Sequence, residues 1–185
     1  RSASLRPAAI RDGGAFGVSH FDAAALERLR AILAERPAAE LDGANLRRAA
    51  VLIPLIAAGD GWDILFAKRS ENLAVHKGQV AFPGGSAEAG ESPEDAALRE
   101  SQEEVGLPAR DVELIGRLDD LITHTGFIVA PFVGIVSGRP EYVLEPAEVD
   151  EVFEVPIDVL LARDNPQIRY VTWHEQVYPT YVFRH

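Results

Sequence analysis

Apolar positions recur along the chain with two different spacings, and these divide it into elements. Residues 1–20 are mixed, with Gly13, Gly14 and Gly17, and read as an extended arm. Phe21 and Asp22 then open a helix in which Leu26, Leu29, Ile32 and Leu33 repeat at helical spacing; Asp22 is placed to cap it and Pro37 to end it. The run AAVLIPLIAA from Ala49 to Ala58 predicts a buried strand, with Pro54 allowed only at an edge or a bulge. Gly59-Asp60-Gly61 is a turn signal and Trp62 to Ala67 a second strand, so the two runs predict a hairpin. Gln79 to Phe82 reads as a short strand and Ser92 to Val105 as a helix. Beyond it the pattern is mostly strand: Val112 to Leu118, Phe127 to Val136, Gln167 to Trp173 and Val177 to Phe183. Val152 to Val155 is also strand-like and leads into a short helix over Pro156 to Leu161.

The regular alternation of a doubly wound fold is missing, so the expected class is α/β (α+β), a mixed β-sheet with helices packed on it. There is no internal repeat, low-complexity tract or clear linker. Residues 1–47 are read as an N-terminal arm and helix, and residues 48–185 as the main body of a single domain.

The helix from Ser92 carries more information than its boundaries. Ser92 suits the N-cap, Pro93 the first turn, Glu94 and Asp95 the positive end of the helix dipole, and Gly106 a left-handed stop. At about 100° per residue, Glu100, Glu103 and Glu104 share one arc, while Leu98, Ser101 and Val105 lie on a side that can pack inward. Clustered carboxylates repel each other, and Arg99 offsets only part of this by pairing with Glu103 or Asp95. A hard divalent cation would resolve the conflict, since Mg²⁺ and Mn²⁺ prefer oxygen ligands, but from the three glutamates alone a solvated acidic face is the better account, and only the full spacing overturns it.

Composition narrows the setting. The 185 residues include 18 basic and 29 acidic side chains, a net charge of −11, which repels nucleic acid backbones. A phosphorylated substrate would be repelled too unless a cation intervenes. Cysteine is absent, which excludes disulfides, thiolate metal sites and cysteine nucleophiles. Methionine is absent as well, so Arg1 is not read as the native start. No apolar run reaches the roughly 18 residues of a membrane span, and no signal-peptide pattern is evident. The expectation is a cytoplasmic protein with a small-molecule partner and neither nucleic acid nor membrane as partners; a homodimer is compatible with it, with the N-terminal arm as one contact.

The full spacing around the helix is Gly85, five residues, Glu91, seven residues, Arg99-Glu100, two residues, Glu103-Glu104, one residue, Gly106-Leu107. This resembles the signature of the Nudix hydrolase family at every fixed position. One variable position departs: Ser101 stands where the family usually has a bulky aliphatic residue. The resemblance implies a Nudix-type α/β/α sandwich and a loop–helix–loop that binds divalent metal, Mg²⁺ or Mn²⁺, against a diphosphate. It implies Glu100 and Glu104 as leading metal ligands, Glu103 as a further ligand or the base, and the Gly85 carbonyl as part of the site. Arg99 and Glu91 then hold the glutamates in place. Glycine at 84 and 85 lets the backbone approach metal or phosphate closely.

Upstream, the stretch from Leu65 to Gly85 resembles the coenzyme A diphosphatase subgroup, through Arg69-Ser70, Leu73, His76, Gly78-Gln79 and Phe82-Pro83-Gly84-Gly85. Thr123, Gly126-Phe127, Pro131-Phe132-Val133 and the run from Glu148 extend the likeness. Ala74 departs from it, since a basic residue usually follows the leucine. The resemblance implies hydrolysis of coenzyme A or a derivative, with Arg69, His76, Lys77 and Gln79 as candidate substrate contacts. Lys68 and Lys77 also suit ordinary surface charges, His76 also suits a loop-holding role, and His124 is a weaker candidate for the pocket. For the general base, Glu103 competes with Glu148, Asp150 and Glu151 on a later segment. The alternatives are the same chemistry on ADP-ribose, NADH or a damaged nucleotide, and a binding module without catalysis.

Overall fold

A computed structural model describes residues 20–43, 45–73, 77–123, 125–162, 166–173 and 176–183. Helix α1 (Ala23–Glu35) starts where the Asp22 side chain accepts the Ala25 N–H at 2.8 Å. Strands β1 (Arg47–Ala58) and β2 (Gly61–Arg69) form the expected hairpin across the glycine turn, registered from Ala58↔Gly61 to Leu55↔Ile64. The short strands β3 (Val80–Ala81) and β4 (Gly84–Ser86) follow, and then helix α2 (Pro93–Val105). A 3-10 turn (Ala109–Asp111) leads to β5 (Val112–Arg117), β6 (Leu121–Ile122) and β7 (Phe127–Val136). Strand β8 (Val149–Pro156) and helix α3 (Ile157–Leu161) come next. Strands β9 (Gln167–Trp173) and β10 (Gln176–Val182) pair only with each other.

The first eight strands make one mixed sheet. β1 lies at its centre, parallel to β7 from Arg47↔Phe127 to Ile56↔Val136 and antiparallel to β2. β5 closes one side against β7, and β8 lies along β2. Because both faces of β1 are covered, its apolar run alternates between two cores. Ala50, Leu52 and Ile56 pack with Ala96, Ala97 and Val105 of α2. Ile53 and Leu55 pack on the other face with Leu26, Leu29 and Leu33 of α1. The layers are therefore helix, sheet, helix. No helix among the described residues is long and apolar enough to cross a membrane.

Pro54 departs from expectation, because it sits in the central strand and not at an edge or bulge. Toward one end β1 pairs with β2; toward the other it pairs with β4, from Ala49↔Ser86 to Val51↔Gly84. Between these ladders β1 and β2 part, and the β3–β4 segment fills the fork, with β3 on β2 at Ala67↔Ala81. Leu52 donates its N–H into this fork, to the Pro83 carbonyl at 2.9 Å. Position 54 faces the same way by strand alternation, just where one partner gives way to the next. The donor that proline lacks is not needed there.

Candidate active site

The fork positions one half of the site and α2 the other. A Cβ at Gly84 would lie 2.3 Å from the Ala50 carbonyl oxygen, so only glycine lets β4 approach β1 this closely. On α2, the Ser92 hydroxyl accepts the Asp95 N–H at 3.1 Å, and Gly106 ends the helix at φ 74° with its N–H on the Gln102 carbonyl. Ser101 is fully buried, and its hydroxyl donates to the Ala97 carbonyl at 2.7 Å. The polar group in this apolar position is thereby satisfied. Leu98, expected to pack inward, is instead half-buried beside Asp95, Arg99, Gln102 and Glu103, because the alanines at 96 and 97 take the sheet-facing side.

Glu104 is the most enclosed of the glutamates gathered here, its side chain only 4% exposed. Its Oε2 accepts the Gly84 N–H at 2.9 Å and its Oε1 the Arg69 Nη1 at 3.1 Å. Burial pushes its carboxyl up to about 7, against the pull of Gly84 and Arg69, and Glu100 and Glu148 push the same way. Glu100, 16% exposed, stands over Gly85, and burial raises it too, with Glu103 and Glu148 adding to the effect.

Arg99 organises the rest. Its Nε and Nη2 grip Glu91 at 2.8 and 3.1 Å, Nη2 also reaches the Ser86 carbonyl at 3.1 Å, and Nη1 bonds Glu100 and Glu103 at 3.0 Å each. Arg99 holds the Glu91 carboxyl below its usual range, helped by the Glu88 N–H. Glu103 is turned outward and 61% exposed.

A strap from Arg139 to Glu148 crosses the end of α2. Val143 donates to the Val105 carbonyl at 3.1 Å and Glu145 to the Glu104 carbonyl at 3.0 Å. The Glu148 carbonyl accepts the Ser70 N–H at 2.8 Å, and its side chain is half-buried, close enough to raise both Glu100 and Glu104. Its competitors for the role of base lie differently: Asp150 accepts the Glu71 N–H at 3.1 Å, and Glu151 is registered opposite Lys68.

The structure thus brings together Gly85, Glu91, Arg99, Glu100, Glu103, Glu104 and Arg69. Arg69, expected as a substrate contact, has its guanidinium on Glu104. Gln79 supplies a backbone carbonyl to the Arg69 N–H at 2.9 Å, and Lys77 is exposed. His76 and His124 lie outside the described residues. Sequence spacing alone does not single out Glu148 or the Arg69–Glu104 pair, because both depend on contacts between distant segments.

Among the described residues no three acidic or imidazole side chains close around one point as they stand, since Arg99 and Arg69 each hold a share of the carboxylates. The donor set nevertheless fits a hard cation. Two carboxylates taken out of water and pushed above their ordinary range are what a divalent ion neutralises. Gly85 leaves free the space that a Cβ would fill beside Glu100.

The chain matches the NUDIX domain over residues 46–180. It is 44% identical over 128 residues to a Citrobacter koseri protein named uncharacterized Nudix hydrolase NudL, a match covering 68% of this chain and 66% of that one. The Pectobacterium atrosepticum protein of the same name is 38% identical over 142 residues, covering 70% of this chain and 73% of its own length. Two solved structures share the fold. A C. elegans Ap4A hydrolase binary complex has TM-score 0.53 at 18% identity, covering 63% of this chain and 86% of that chain. A Nudix hydrolase from M. smegmatis, RenU, has TM-score 0.54 at 22% identity, covering 62% and 73%. A mixed sheet between helices, with a glutamate-bearing helix against a glycine loop, is the Nudix architecture. The chain belongs to the Nudix hydrolase family, whose members act on pyrophosphate bonds and generally use divalent metal ions. It spans just under two thirds of the length of the Citrobacter relative.

Proposed function

We propose that this protein hydrolyses the diphosphate bond of coenzyme A or a close derivative, giving 4′-phosphopantetheine and adenosine 3′,5′-bisphosphate, with Mg²⁺ or Mn²⁺ bound. The observation that carries the diphosphatase reading is the buried Glu104 beside the half-buried Glu100, set against Gly84 and Gly85. The choice of coenzyme A rests on the run from Arg69-Ser70 to Phe82-Pro83-Gly84-Gly85.

In this reading Glu100, Glu104 and the Gly85 carbonyl hold the cation, with Glu103 as a further ligand at the rim. The bound ion supplies charge neutralisation on the diphosphate and lowers the pKa of water. Arg99, anchored on Glu91 and Ser86, orients Glu100 and Glu103. Glu148 is the candidate base: its half-buried carboxylate is near enough to raise both Glu100 and Glu104, whereas Asp150 accepts the Glu71 N–H. It takes the proton from a water whose oxygen bonds to one phosphorus as the bridging P–O bond breaks. The leaving phosphate keeps that electron pair. A cytoplasmic setting belongs to this reading.

Ala74, where the subgroup usually carries a basic residue, favours a second reading: the same chemistry on another nucleoside diphosphate derivative. Chromatography of products from coenzyme A, dephospho-coenzyme A and ADP-ribose, each with Mg²⁺ or Mn²⁺ and with excess chelator, separates the two. Adenosine 3′,5′-bisphosphate formed from coenzyme A only with metal supports the first. Cleavage of ADP-ribose without cleavage of coenzyme A replaces it with the second. Metal binding without turnover of any of these leaves a binding module.

A further inference from the structure

We infer that Arg69 exchanges partners: it neutralises Glu104 while no metal is bound, and turns to the diphosphate once a divalent ion takes Glu104. This rests on the metal site proposed above. Glu104 is nearly out of water, and its Oε1 is covered by Arg69. A buried carboxylate needs a counter-charge, and here the guanidinium provides it. A divalent ion on the same carboxylate puts two cations side by side, and they repel. Either Arg69 leaves or the ion binds weakly.

Arg69 is built to leave. Its backbone is pinned on both sides: its N–H on the Gln79 carbonyl at 2.9 Å, its carbonyl on the Gly78 N–H at 3.0 Å, and the next N–H on Glu148 at 2.8 Å. Movement is therefore confined to the side chain. Among the described residues the guanidinium bonds Glu104 through Nη1 alone, and the side chain is 24% exposed, so it has a route outward. Arg99 is the contrast: it holds Glu91 through two nitrogens and the Ser86 carbonyl as well, and is fixed. A freed guanidinium on the rim presents a planar fork suited to phosphate oxygens. Metal and diphosphate then favour each other's binding through Arg69, beyond their direct attraction.

Calorimetric titration of Mn²⁺ tests this, on wild type, Arg69→Gln and Arg69→Lys, with and without methylenediphosphonate as a non-hydrolysable diphosphate. Thermal melts confirm that each variant folds. The expected result is that Arg69→Gln binds Mn²⁺ alone about three- to tenfold more tightly than wild type, the scale of one partly buried ion pair. Arg69→Lys, which keeps the charge, stays near wild type. Methylenediphosphonate then tightens Mn²⁺ binding more in wild type than in Arg69→Gln. Unchanged or weaker Mn²⁺ binding by Arg69→Gln makes Arg69 a fixed support and overturns the exchange, as does a lysine variant as tight as the glutamine one. Wild type that binds no Mn²⁺, or binding that survives Glu104→Gln, instead overturns the metal site itself.

Discussion

Glu100 stands directly over Gly85: a Cβ on that glycine would lie 2.4 Å from the Glu100 carboxylate carbon. Gly85 has no left-handed backbone, so an alanine there is opposed by Glu100 and not by its own torsions. Gly85→Ala is therefore expected to fold with wild-type circular dichroism while displacing the carboxylate. Turnover and Mn²⁺ affinity should each fall roughly 10- to 100-fold, as when a metal ligand loses its orientation. Wild-type affinity in this variant would remove Glu100 from the ligand set.

Arg99 serves Glu91, Ser86, Glu100 and Glu103 at once, and only a planar fork spans them. Arg99→Lys keeps the charge and loses the two-nitrogen grip on Glu91. Steady-state kinetics should show kcat reduced about 10- to 100-fold, the usual cost of losing an orienting partner. Glu91→Gln should reproduce much of that loss, and the double variant should cost little more than either alone.

His20 ties the start of the described chain to α3. Its Nδ1 lies 2.5 Å from Asp158 Oδ2, Phe21 donates its N–H to the same carboxylate at 2.6 Å, and Asp60 lies 3.7 Å from Nε2. Asp158 raises the imidazole above its ordinary 6.5, with Asp60 adding to it. A raised histidine stabilises the fold fully below the unfolded value and loses that contribution as pH rises through the folded one. Wild-type melting temperature should therefore drop as pH rises above 6.5 and through the raised value, relative to Asp158→Asn. Parallel curves for the two proteins would show that this contact contributes nothing.

Ser101 occupies a buried slot with its hydroxyl returned to the Ala97 carbonyl. Removing the hydroxyl leaves no buried donor unpaired, so urea unfolding of Ser101→Ala should lie within about 1 kcal/mol of wild type. Ser101→Leu, restoring a bulky aliphatic side chain, has no space waiting for it and should destabilise by about 1–3 kcal/mol.

The elements that the sequence announces are those whose signals are local. Ser92, Pro93 and Gly106 bound α2 from within, and the helix runs Pro93–Val105 with Ser92 as its cap, as the spacing predicts. The β1–β2 hairpin follows from its own glycine turn. β4 and β6 were hidden because their strand character comes from partners: Gly84–Ser86 is extended by Ala49–Val51, and Leu121–Ile122 by Ile128–Val129. The same holds in the site. The grouping of Arg99, Glu100 and Glu104 is written in helical spacing, with Glu91 just before the Ser92 cap, whereas Arg69 on β2 and Glu104 on α2 meet only through tertiary packing. Leu98 misleads because helical periodicity gives an angle but not which neighbours fill it; the alanines at 96 and 97 fill the sheet side first.

The strap makes the placement of Glu148 a matter of chain length. One end is moored to the last turn of α2 through Val143 and Glu145, the other to Ser70, and only Pro146 and Ala147 lie between Glu145 and Glu148. An inserted residue there would add about 3.3 Å of chain, longer than the reach over which a base shares a proton with its water. The strap thus acts as a ruler: Pro146 and Ala147 are spacers whose number, more than their chemistry, sets where Glu148 stands.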